Sequence, residues 1–70
     1  MIFEEALKAM REGNYGEVAT GGYTVQYRID GERISSRYQY NWSTFADWHD
    51  SSNFPLDAIL TGRWTVVVPV

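Results

Sequence analysis

The chain has no cysteine and a single histidine, His49. The first absence excludes a disulfide scaffold, thiolate zinc sites and a cysteine nucleophile. The second excludes a histidine-rich metal centre, and no metal or cofactor is expected. No secretory leader is expected either, since Met1-Ile2-Phe3 runs straight into Glu4-Glu5 rather than a basic and then apolar stretch. The apolar run Val66-Val67-Val68 is far short of the ~20 residues that a membrane helix requires. A cytosolic protein away from any membrane is expected, in which the Asn41-Trp42-Ser43 sequon is a chance match.

Positive charge is also scarce. Six Lys and Arg stand against nine Asp and Glu, for a net charge of -3. Affinity for a phosphate backbone comes mainly from Lys and Arg, so DNA and RNA are not expected partners; the acidic excess is too mild for a DNA mimic. The 70 residues suffice for one domain, residues 1–70. At this length folding buries only ~60% of the unfolded surface. With disulfides and metals excluded, self-association is the remaining compensation.

What the chain has in abundance is rings: three Trp, five Tyr and three Phe, 16% of its residues. Each ring buries ~150–250 Å². So many exceed what a domain of this size hides easily, and some are expected to face a ligand or a second subunit.

Periodicity organises the chain. Ile2, Phe3, Ala6, Leu7 and Met10 share one face of a helix over residues 2–12. Glu4 and Glu5 suit its positive start, Arg11 its last turn, and Gly13 its end. A short strand follows at Tyr15–Thr20, then a Gly21-Gly22 turn. Tyr23, Val25, Tyr27 and Ile29 alternate with Thr24, Gln26 and Arg28, as a half-buried strand requires. Asp30-Gly31 reads as a two-residue hairpin turn leading into a strand from Glu32 to about Tyr40. That turn sets Ile34 opposite Tyr27, Ser36 opposite Val25 and Tyr38 opposite Tyr23. Within Asn41–Asp50, Ser43 or Thr44 can cap a short helical segment carrying Phe45, Ala46 and Trp48. Ser51-Ser52-Asn53 reads as a loop, and Pro55 opens a helix that Thr61-Gly62 stops. Arg63–Val68 closes the chain as a strand, whose apolar run predicts a central strand or one covered by another subunit. The expected class is α+β, an N-terminal amphipathic helix packed on the aromatic face of a twisted antiparallel sheet of about four strands.

Two segments carry a resemblance. Phe3-Glu4-Glu5-Ala6-Leu7-Lys8-Ala9-Met10-Arg11-Glu12-Gly13 resembles the opening of the second Thoeris anti-defence family. Leu56-Asp57-Ala58-Ile59-Leu60-Thr61-Gly62-Arg63-Trp64-Thr65-Val66-Val67 is similar to that family's ending. These are small phage proteins that trap cyclic ADP-ribose-type immune signals, some also cyclic dinucleotides, in pockets between protomers of dimers of dimers. The resemblance covers about a third of the chain and implies the fold, self-assembly and a trapped cyclic nucleotide. It departs at Asn14–Thr20, where the family carries a basic stretch and an Arg–Trp strand, and it assigns no binding residue in the middle of the chain.

Two groups of residues have the chemistry for a ligand. Arg28, Arg33 and Arg37 lie on the polar face of the hairpin, with Arg28 opposite Arg33 and Arg37 opposite Thr24 in the expected register. Like charges across a strand pair repel, so local acids or a bound anion such as a phosphate must offset them. Tyr38, Tyr40, Asn41, Trp42, Asp47 and Trp48 form the second group. Rings there can stack a purine, while Asn and Asp can read a base edge or ribose hydroxyls. The same rings equally suit core and subunit interface. Trp64 is expected in the core and His49 at the surface. No catalytic residues are identified, since one histidine and no cysteine leave little for nucleophilic catalysis. The expected function is a sponge that sequesters a cyclic nucleotide without cleaving it. The alternative is a small inhibitor or adaptor that docks onto a host protein through exposed aromatics.

Overall fold

The computed structural model describes residues 1–19, 21–40, 43–51 and 53–69. Helix α1 (Phe3–Arg11) is followed by strands β1 (Tyr15–Ala19), β2 (Tyr23–Asp30), β3 (Arg33–Tyr40) and β4 (His49–Ser51), helix α2 (Leu56–Thr61) and strand β5 (Trp64–Val67). The strands form one antiparallel sheet in the order β4-β3-β2-β1-β5. The chain is therefore α+β, with one helix packed on the sheet and a shorter one before the last strand. No helix among the described residues is long and apolar enough to cross a membrane.

Helix α1 forms because its apolar stripe has a surface to cover. Ala6 and Met10 are buried against the sheet, while Glu4 and Glu5 occupy the first turn and Arg11 the last. Its end is closed by two hydrogen bonds, from the Gly13 N–H to the Met10 carbonyl and from the Asn14 N–H to the Ala9 carbonyl. Together they satisfy carbonyls that the helix itself cannot. The helix meets β1 at Gly16. A Cβ added there would come within 3.0 Å of the Trp64 ring and 3.1 Å of the Met10 side chain, so a larger residue requires those neighbours to give by a few tenths of an ångström.

The core lies between α1 and one face of the sheet. Val18, Val25, Tyr27 and Trp64 are buried there, with Phe3, Leu7, Ile29, Ile34, Phe54 and Ala58 packed around them. Phe3, Tyr27 and Phe54 surround Trp64 with ring centroids 5.3, 5.7 and 6.1 Å away. The expected core place of Trp64 holds, and its indole N–H donates to the Ala58 carbonyl at 2.9 Å.

Three expectations need correction. The β2–β3 turn is Gly31-Glu32, not Asp30-Gly31, because Asp30 still pairs with Arg33. Gly31 alone takes a positive φ (66°), as in hairpin turns with glycine first; Glu32 does not. Ile34 thus faces Ile29, Ser36 faces Tyr27, Tyr38 faces Val25 and Tyr40 faces Tyr23. The displacement preserves parity, so every residue keeps its expected face but changes its partner. Secondly, residues 43–48 are not helical, and His49–Ser51 adds a fifth strand to the edge of β3. Pairing with β3 outweighs the local capping signal. Thirdly, β5 is an edge strand, paired only with β1 among the described residues, so of the two expected settings, central or covered by another subunit, the central one does not occur.

Candidate functional site

The sheet face turned away from α1 carries the polar set of the alternation. Tyr15 and Glu17 on β1, Gln26 and Arg28 on β2, and Arg37 on β3 project from it, because successive side chains of a strand alternate. Residues 43–48 run back across this face, tied to β3 by a hydrogen bond from the Ala46 N–H to the Tyr38 carbonyl at 2.9 Å. That crossing delivers Phe45 and Trp48 onto the arginines.

The result is a cluster of two guanidinium groups among three rings. The Arg28 guanidinium carbon is 4.4 Å from the Trp48 ring centre, and that of Arg37 is 4.6 Å away. Arg37 is also 4.7 Å from the Phe45 ring and 5.4 Å from that of Tyr15. Tyr15 meets Trp48 edge-on, with centroids 5.0 Å apart. A cation over an aromatic face gains ~0.5–1 kcal/mol when exposed and about 2 when desolvated.

The two arginines differ in what else holds them. Arg37 donates through Nε to Oε1 of the buried Gln26 at 2.8 Å, and Gln26 donates in turn to Oε1 of Glu17 at 2.9 Å. This relay connects the cation to a carboxylate. Arg28 has no such relay: its Nε is buried and has no hydrogen-bond partner among the described residues. A buried donor left unsatisfied costs ~1–3 kcal/mol, and more when charged. Arg28 also lines a cavity of about 270 Å³, together with Tyr15, Asn14 and Asp30.

Of the residues marked from the sequence, this face gathers Arg28, Arg37 and Trp48. Arg33 is on the same face but is neutralised locally. It pairs across the strands with Asp30 and forms an exposed ion pair with Asp50 at 3.5 Å, an interaction of small energy. The expected Arg28–Arg33 and Arg37–Thr24 pairings do not occur: Arg28 faces Ser35 and Arg37 faces Gln26. Tyr38 and Tyr40 lie on the opposite face, so they do not share a clamp with the arginines. Tyr38 follows Arg37 directly and must point the other way. There they join Tyr23, with ring centroids 5.8 and 6.1 Å away, and Tyr38 stacks on His49 at 5.6 Å. Asp47 is exposed in the crossing segment. Asn41 and Trp42 lie outside the described residues.

Sequence reasoning missed Tyr15, Phe45, Gln26 and Glu17 as parts of one cluster. Tyr15 and Glu17 share a parity within β1, and Gln26 and Arg28 share one within β2. No short-range pattern brings the two strands to Trp48. The opposite face carries a different chemistry. Burial, reinforced by the neighbouring Tyr38 and Tyr23 phenols, pushes the Tyr27 hydroxyl up to about 12, so it stays a protonated donor. Comparison with protein-family models, curated proteins and solved structures finds no match for this chain.

Proposed function

We propose that the protein binds and sequesters a cyclic nucleotide signal without cleaving it, through the face carrying Arg28, Arg37 and Trp48. One observation supports this above the others: Arg28 lines a cavity, and its buried Nε has no acceptor among the described residues. A phosphate oxygen supplies such an acceptor in a short, charge-assisted hydrogen bond. Guanidinium planes held against Trp48 and Phe45 offer flat surfaces for a base. Asn14 and Asp30, which line the same cavity, are suited to ribose hydroxyls. The bases thus meet Trp48, Tyr15 and the arginines in this reading, in place of Tyr38 and Tyr40. Sequestration needs affinity and abundance only, and the cluster offers cations and rings for that task. The same reading has the chain assembling as a dimer or tetramer.

Isothermal calorimetry against cyclic dinucleotides and cyclic ADP-ribose isomers tests the proposal. Binding tighter than millimolar is expected for at least one, with the ligand recovered intact after heat denaturation. Absence of heat with all of them, or recovery of a cleaved product, overturns it.

A second reading has its own observation. Tyr23, Tyr38 and Tyr40 are 37%, 38% and 53% exposed and adjoin one another on the other face. Exposed tyrosines of this kind suit docking onto a host protein. Recovery of a stoichiometric protein and no nucleotide from a host lysate favours that reading over the first.

A further inference from the structure

Helix α2 turns its small residue to the sheet and its large ones away. Ala58 packs against the core, whereas Leu56 and Leu60 are 67% and 71% exposed. Between α2 and strands β1 and β2 there remains a cavity of about 470 Å³, walled by Val18, Val25 and Ala58. That volume falls in the range of small-molecule sites, which are apolar with a few convergent polar groups.

The polar groups here are specific. Tyr27 lines the cavity while being only 4% exposed, and among the described residues its hydroxyl has no hydrogen-bond partner. Arg63 also lines it, exposed and without an ion-pair partner among the described residues. Asp57 is the remaining charged lining residue, and its negative charge opposes a multiply charged guest such as a nucleotide phosphate. The cavity is on the α1 side of the sheet, remote from the Arg28 cluster.

We propose that this cavity is a second binding site, for a small carboxylate with an apolar, ring-sized body. The body lies against Val18, Val25 and Ala58, the carboxylate engages Arg63, and the Tyr27 hydroxyl donates to an acceptor on the ligand. This inference stands independently of the nucleotide reading, which concerns the other face.

The test uses 3-phenylpropionate as probe in an amide chemical-shift titration of the isotopically labelled full chain, with 3-phenylpropionamide as the neutral counterpart. Saturable shifts at Val18, Val25, Ala58 and Arg63 are expected with the acid. Loss of charge, in the amide or in Arg63→Gln, should weaken binding at least about tenfold. Tyr27→Phe, which retains the ring, should weaken it several-fold, and Arg28→Gln should leave it unchanged. Failure to saturate through the millimolar range overturns the proposal. So does equal affinity for acid and amide, or a shift pattern centred on Tyr15 and Trp48.

Discussion

Trp64 and Ala58 are joined by the indole N–H, which donates to the α2 carbonyl at 2.9 Å. This bond links the first residue of the last strand to the short helix before it. It also satisfies the single polar atom of a side chain that is 2% exposed. Trp64→Phe removes the donor and part of the ring contact with Phe3, Tyr27 and Phe54. A loss of about 1–3 kcal/mol is expected in urea unfolding, from the unmade bond and the reduced packing together. Amide exchange should accelerate in α2 before it does in β2 and β3.

Arg28 should behave differently. Arg28→Met keeps an apolar stem against Trp48 while removing a charge near Arg37 and a buried donor without a partner. The lost ring contact is worth ~0.5–2 kcal/mol, and the unsatisfied donor costs ~1–3. The two effects largely offset, so unfolding free energy should change by less than about 1 kcal/mol. Nucleotide affinity should fall by at least about tenfold, since a charge-assisted bond is lost. Parallel urea and calorimetric titrations check both halves. A variant that loses stability while retaining affinity would place Arg28 among the structural residues.

Gly16 tests how tightly α1 lies on the sheet. Gly16→Ala forces a methyl to within 3.0 Å of Trp64 and 3.1 Å of Met10. Overpacking of this kind costs ~1–3 kcal/mol. Because one of the two neighbours is a flexible methionine, adding Met10→Leu should recover part of the loss. Thermal melts of the single and double variants give the comparison.

The pH dependence follows from Tyr27. In the unfolded chain its phenol ionises near the ordinary value of 10.0, whereas in the fold it holds its proton up to about 12. The stability this residue contributes is therefore complete below pH ~10 and is lost as pH rises through about 12. One pKa unit corresponds to ~1.4 kcal/mol, and with partial solvent screening of the hydroxyl the change is on the order of 1–2 kcal/mol. In a phenolate absorbance titration one of the five tyrosines should ionise last. Tyr27→Phe should remove that late step and flatten the alkaline loss of stability.

Much of this architecture was legible in the chain. The stripe Phe3, Ala6, Leu7, Met10 can form a single face only as a helix, and the alternation of β2 and β3 sorts their side chains correctly. The turn was misplaced by one position because Asp30-Gly31 and Gly31-Glu32 both offer two residues with a glycine. Only the partner of Asp30 distinguishes them. The cluster was half legible. Arg28 and Arg37 followed from parity, but Tyr15, Phe45 and Trp48 meet through pairings between distant segments, which no local pattern encodes. The helix expected around Phe45 gave way because an extended path lets Phe45 and Trp48 both reach Arg37, while residues 49–51 pair with β3.

The Gly31-Glu32 turn does more than reverse the chain. Side chains repeat every second residue along a strand, so a slip of β3 by one position would exchange its two sides. Arg37 would then be driven beneath the α1 layer, and Ile34 and Ser36 would emerge among the cations. Sidedness in this molecule thus depends on a single bend keeping count, and lengthening that bend by one residue would threaten both surfaces at once.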